Sequence, residues 1–232
     1  MAQEVFARTE TKYILTQEEY ADLFMKLKKK TKKDYYFAST NCSIYFDTPN
    51  CDLAIRSIEK PIFKEKIRLR SYNVPTLDDV VYLEIKTKYR GVGYKRRAGI
   101  KLRDFYDYQK TGILNIRNEQ IRNEIDYRFK HRKLEPQVFI AYDRQSYCLK
   151  EDPNFRITFD FGIRSRTDNL RLEAGDDGEL YYKDHRVIME VKSAKAYPLW
   201  FSKMMNDRKI YPASNSKYSN IYRKINKQSK EK

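Results

Sequence analysis

The stretch KEKIRLRSY, residues 64–72, changes character at every second position. Lys64, Lys66, Arg68 and Arg70 share one phase, and Glu65, Ile67 and Leu69 share the other. A helix of period 3.6 would spread these cations around its circumference, whereas a strand lines them along one face about 6.6 Å apart. The segment therefore reads as a strand with one apolar and one charged face. The pattern recurs along the chain. Residues 80–89 set Tyr82, Glu84, Lys86 and Lys88 against Leu83 and Ile85. Residues 155–166 set Arg156, Thr158, Asp160, Arg164 and Arg166 against Ile157, Phe159, Phe161 and Ile163. Glu190 and Lys192 oppose Met189 and Val191, and RTETK (8–12) aligns Arg8, Glu10 and Lys12.

Two architectures accommodate such strands. In one, the charged faces look into water, as on an ordinary half-buried sheet. In the other, the sheet closes into a barrel whose helices cover the apolar outside and whose lumen is charged. Cations crowded into a lumen repel one another and lose hydration, so that arrangement requires an anion inside. The recurring excess of cations over carboxylates favours the second reading, but alternation alone does not separate the two. The chain as a whole carries 48 Lys+Arg against 32 Asp+Glu, a net charge of +16. A polyanionic partner follows from that balance: nucleic acid, phosphorylated metabolite or anionic membrane.

Strands are expected at 8–15, 42–48, 64–72, 80–89, 94–102, 138–149, 155–166 and 186–192. Thr16 followed by Glu19 reads as a capping box opening a helix. Helical spacing covers most of 104–132 and pieces of 197–222. Strands adjoin strands, which favours an antiparallel α+β or barrel arrangement over a parallel sheet. With 7 Gly and 7 Pro and no linker-like stretch, one domain over residues 1–225 is expected, followed by a basic, solvated tail at 226–232. KLKKKTKK (26–33) reads as a solvated helix end that is also suited to touching polyphosphate or membrane. Three cysteines without CxxC spacing and two distant histidines disfavour a zinc site, so any metal should be a hard Mg²⁺ or Mn²⁺. No GxxxxGK[ST] or GxSxG motif is present. No leader-like or spanning apolar run is visible, so a soluble, cytoplasmic protein is expected.

The ordered set RTETKYIL, CSIYFDT, KEKIRLRSY, YLEIKTKYRGVGYKRR, AYDRQSY, RITFDFGIRSR, VIMEVK, YPLW and SKY resembles the VTC domain. That is the polyphosphate polymerase module within the CYTH/triphosphate tunnel metalloenzyme superfamily. The resemblance implies an α+β fold built on an antiparallel β-barrel tunnel of about eight strands with flanking helices. It implies that Arg68, Arg70, Lys12, Lys86, Arg144 and Lys217 contact phosphate, with Ser216 beside Lys217. Glu190 would bind Mn²⁺ or Mg²⁺. Glu10, Lys66, Lys88, Arg156, Arg164 and Lys192 share these faces as substrate-binding candidates, while Glu84 and Asp160 suit internal ion pairs. Arg8 replaces the first glutamate of the superfamily's ExExK, which weakens a two-metal triphosphatase reading.

The implied activity is transfer of the γ-phosphate of ATP to a growing inorganic polyphosphate chain. The partners would be ATP, polyphosphate and a membrane protein that moves the product, with no nucleic acid. Such transfer demands positioning and charge stabilisation rather than a protein nucleophile. Two rivals stay open: a triphosphatase of the same fold, and a non-catalytic polyphosphate- or nucleic-acid-binding module.

Overall fold

The computed structural model describes residues 9–59, 61–90 and 92–230. Arg8 lies outside them. The chain runs β1 (Thr9–Leu15), α1 (Gln17–Lys30), β2 (Thr31–Asp47), α2 (Asp52–Ile58), β3 (Phe63–Tyr72), β4 (Val80–Tyr89) and β5 (Val92–Lys101). There follow α3 (Leu102–Thr111), α4 (Glu119–Arg132), β6 (Glu135–Leu149), β7 (Arg156–Arg166), β8 (Glu179–Leu180), β9 (Val187–Ser193), α5 (Leu199–Asp207) and α6 (Lys217–Lys230). The strands form one sheet in the order β1-β9-β7-β6-β2-β3-β4-β5, with β8 paired to β7. The pairs β1–β9, β7–β9, β2–β3, β3–β4 and β4–β5 are antiparallel.

Contacts divide the chain into two compact units, residues 1–39, 142–163 and 180–215 forming one, and 40–141, 164–179 and 216–232 the other. In the first unit, Tyr13 and Leu15 of β1, Ile157 and Phe159 of β7 and Met189 and Val191 of β9 bury one face of each strand. Leu23 and Leu27, four apart on α1, complete that core. The helix starts as its sequence dictates: Glu19 N donates to Thr16 Oγ1, and Thr16 N donates to Glu19 Oε2. It ends at Lys30, where Thr31 turns extended and its hydroxyl donates to the Leu27 carbonyl. The lysine run therefore does not all lie at a helix end. Lys32 and Lys33 already belong to β2, whose β-branched and aromatic residues (Thr31, Tyr35, Tyr36, Phe37) favour extension.

In the second unit, Ile44 and Phe46 of β2, Ile67 and Leu69 of β3, and Leu83 and Ile85 of β4 point to a core shared with α3 and α4. Phe105 of α3 packs edge-on to Phe46 and Phe129. Gly112, at φ 71°, ends α3 in the left-handed conformation that a side chain would resist. Glu65 shares the apolar phase of β3, and there it accepts from Arg128 and pairs with Arg132 of α4. Helices α3 and α4 thus cover the apolar face of these strands. Helix α6 continues to Lys230, past the point where the sequence suggests a tail.

Candidate functional site

Register decides what the charged phase of the second unit can do. Across β2, β3, β4 and β5 it aligns Tyr45, Arg68, Glu84 and Arg97 in one row. The next row sets Lys66 against Lys86 and Lys86 against Lys95. Beyond it, Lys64 stands opposite Lys88. Like charges directly across a ladder destabilise a sheet, and Glu84, 2.7 Å from Lys95, offsets part of that repulsion. Nor is this a solvent face throughout: the side chains of Arg68 and Arg70 are only 17% and 8% exposed.

Glu84, with 1% of its side chain exposed, lies 2.6 Å from Arg68, 2.7 Å from Lys95, 3.5 Å from Arg97 and 4.0 Å from Arg70. Burial works against its ionisation, but Arg68, Arg70 and Lys95 outweigh burial and hold its carboxyl down at about 2. The linkage sign follows from a folded pKa below the unfolded one. Glu84 stabilises the fold fully above the ordinary glutamate pKa, and the contribution disappears as pH falls through about 2. It is worth about 3 kcal/mol. Thermal melts from about pH 5 down to about pH 2 should show the loss; a Tm that does not fall over that window would contradict it.

Around the same strands, Arg70 Nε donates to Ser43 Oγ at 3.3 Å, and Arg68 donates to the Tyr45 hydroxyl at 3.0 Å. Lys66 Nζ donates to Ser216 Oγ, which also accepts from Ser219 N, so this lysine touches the residue that opens α6. Lys217 is the first residue of that helix and is half-buried. Tyr218 stacks on Tyr45 at 4.8 Å and 9°, and its hydroxyl donates to Asp47 at 2.7 Å. Asp47 also accepts from Leu53 N and Ala54 N, capping α2. Lys86 and Lys88 are exposed. Arg164 is held at 2.5 Å by Asp176.

The first unit carries its own cluster. Lys12 lies opposite Glu190, and Glu10 opposite Lys192, across β1–β9. Glu190 is 2.7 Å from Lys192 and 3.6 Å from Arg144. Burial opposes its charge, yet Lys192, Arg144 and Lys12 hold its carboxyl well below the usual range. Arg144 gives two donors to Asp160, Nε at 2.6 Å and Nη2 at 2.8 Å, which fixes its fork. Lys12 pairs with Glu10 at 3.5 Å and donates to the Asn215 carbonyl. Arg156 lies opposite Lys192 across β7–β9, with its side chain 48% exposed and paired with Asp34 at 2.7 Å.

Among the described residues, no group of three or more His, Cys, Asp or Glu side chains converges to hold a metal. A hard ion that takes most of its ligands from phosphate and water needs less. Glu190 is an ionised buried carboxylate, and Thr158, its partner in the β7–β9 register, has a buried hydroxyl without a partner among the described residues. Those are the oxygen types a hard Mg²⁺ or Mn²⁺ takes beside phosphate and water, and a bound ion would have to compete with Lys192, 2.7 Å from Glu190.

The structure thus gathers Lys66, Arg68, Arg70, Lys86 and Ser216 in one unit, and Glu10, Lys12, Arg144, Glu190 and Lys192 in the other. Sequence reasoning missed Tyr45, Lys95 and Arg97. Their signal lies in cross-strand register, which the alternation of a single strand does not carry.

Known proteins bear on this arrangement. No curated protein matches the chain. Among solved structures, a Bacillus halodurans protein provisionally described as an adenylate cyclase aligns with TM-score 0.57 at 11% identity, over 89% of this chain and 92% of that one. The PH1819 protein of Pyrococcus horikoshii aligns with TM-score 0.50 at 11% identity, over 94% and 99%. Such identities speak to the fold alone, and the fold is α+β, an antiparallel sheet with flanking helices in the triphosphate tunnel arrangement. The expected closure into a barrel is not seen among the described residues, where β1 and β5 end the strand order without pairing to each other. No helix among the described residues is long and apolar enough to cross a membrane. The VTC domain model matches residues 7–226, and this makes the chain a member of the VTC domain family.

Proposed function

We propose that this protein extends inorganic polyphosphate by transferring the γ-phosphate of ATP to the end of the chain. The observation that carries the reading is the concentration of cations on one phase of β3, β4 and β5, where Lys66, Lys86 and Lys95 adjoin across the ladder beside the largely buried Arg68 and Arg70. Membership of the VTC family supports it.

In the proposed step a terminal oxygen of polyphosphate attacks the γ-phosphorus. The bond from that phosphorus to the β-bridging oxygen breaks, ADP leaves, and the chain is one phosphate longer. Arg68 and Arg70 offer planar donors to the phosphates undergoing transfer, while Lys66, Lys86 and Lys217 supply point charge. Glu84 and the Tyr45 hydroxyl hold Arg68 in place. Within their own unit, Lys12, Arg144 and Lys192 would also bind phosphate, with Arg144 oriented by Asp160. Glu190 and Thr158 would hold a divalent ion, which when bound neutralises phosphate charge. No side chain becomes covalently modified. Lys88 and Arg164 would bind along the polyphosphate chain, and Arg156 would do so at the surface. A membrane-protein partner would receive the product, and the reaction would take place in the cytoplasm.

Isotope position tests this directly. With ATP labelled at the γ-phosphate and Mn²⁺ present, label should enter acid-precipitable polymer, while label at the α-phosphate should leave as ADP. Chelation with EDTA should stop both. Release of the γ label as orthophosphate without polymer would make the protein a triphosphatase. Retention of polyphosphate without turnover would make it a receptor.

A further inference from the structure

Tyr45 touches none of the reacting phosphates in the proposed step, where its hydroxyl holds Arg68. Its ring is 6% exposed, and its hydroxyl accepts from Arg68 Nη1 at 3.0 Å. The Arg68 guanidinium carbon lies 5.8 Å from the ring centroid. The groups that face it can be named element by element. Strand β3 presents Lys66, Arg68 and Arg70, strand β4 presents Glu84 through Arg68, and α6 presents Tyr218. On its own strand stands Asp47, which takes the Tyr218 hydroxyl. The two stacked phenols are therefore unlike. Burial and Asp47 push the Tyr218 phenol far up, so it stays a donor. Burial would raise Tyr45 too, but Arg68, Arg70 and Lys66 outweigh burial and bring it down to about 7.

We propose that Tyr45 is a proton-coupled positioning residue of this cluster: as a neutral phenol it orients Arg68, and as a phenolate it competes with phosphate for Arg68, Arg70 and Lys66. Binding a phosphate group to the phenolate form then draws one proton from solvent onto Tyr45 Oη, with no other bond made or broken. The consequence is an affinity for phosphate that declines as the medium turns alkaline, built into the scaffold rather than into the ligand. The proposal rests on the phosphate reading of the Arg68 cluster.

Inorganic tripolyphosphate is the probe. Its Kd, measured by calorimetry between about pH 6 and pH 8, should weaken about tenfold more in the wild type than in Tyr45→Phe. That variant keeps the ring stacked on Tyr218 and lets the ligand's own ionisation be subtracted. In the wild type, the phenolate absorbance seen at mildly alkaline pH should shrink on saturation with tripolyphosphate. Tyr45→Phe should lack that absorbance. Equal pH dependence in both proteins, or no ligand-sensitive phenolate in the wild type, would overturn the assignment while leaving the phosphate site intact. Failure of the wild type to bind tripolyphosphate at every pH would overturn the phosphate reading, and this proposal with it.

Discussion

Replacing Arg70 with alanine should cut polymer synthesis by about 10²–10³-fold, the usual cost of removing one fixed donor from developing phosphate charge. The geometry makes this the largest functional loss expected from a single substitution. Arg70 is 6% exposed, and Ser43 and Glu84 steer its guanidinium. Arg70→Lys should recover only part of the rate, because an ammonium cannot reproduce a planar two-donor contact. Arg103→Ala is the matching control. That arginine is 51% exposed and pairs with Asp78 at the surface, so its loss should leave turnover within about twofold. Steady-state rates with ATP and Mn²⁺ decide the matter. If Arg70→Ala and Arg103→Ala behave alike, Arg70 does not touch the reacting phosphates.

The largest effect on stability should come from Glu84→Gln. Glutamine keeps the shape and removes the charge, leaving Arg68, Arg70, Lys95 and Arg97 around a neutral amide. Breaking a buried ion pair from one side typically costs about 3–5 kcal/mol. For a chain of this size that corresponds to a fall in Tm of about 10 °C. A structural core would offer no remedy, whereas the proposed anion site would. Inorganic tripolyphosphate should raise the Tm of Glu84→Gln by more than it raises that of the wild type, since added phosphate replaces the missing negative charge. A variant that melts like the wild type would show that the cations around Glu84 are already balanced. Equal shifts in both proteins would place the phosphate elsewhere.

Much of the scaffold was legible because it follows from local rules. Strict alternation located β3, and β4 matches its expected bounds of 80–89. The Thr16–Glu19 pair marked the start of α1 through a hydrogen-bonding pattern that needs no tertiary context. The assignment of Ile67 and Leu69 to the core was legible for the same reason. The expected count of about eight strands falls short of the nine found, because two-residue β8 is too short to carry a period. Helix α2 was also missed: it opens from Cys51 in a left-handed conformation and is capped by Asp47 from the preceding strand. The break between α3 and α4 at Gly112 lay inside a stretch read as mostly helical.

The candidate site was legible by residue type and less so by partner. Lysine and arginine on one face could be listed from the sequence, but their neighbours across the ladder could not. Lys95 and Arg97 became visible only once β5 was registered on β4. Tyr45 sits in a strand motif whose alternation says nothing of Arg68, yet the β2–β3 register sets the two side by side. Glu84 and Asp160 were expected to serve inside ion pairs, and they do. Arg156 and Arg164 have the phase of substrate ligands, and the structure gives each a carboxylate from outside that phase, Asp34 and Asp176. Under the proposed function, which cations a phosphate would recruit is set by competition between protein carboxylates and ligand, which no single segment encodes.

The most direct test is ³¹P NMR of the purified protein incubated with ATP and Mn²⁺. Signals from internal phosphates of long chains should grow together with ADP, and should not appear with Arg70→Ala. Orthophosphate rising with ADP, with no internal-phosphate signal at any time, would contradict the account.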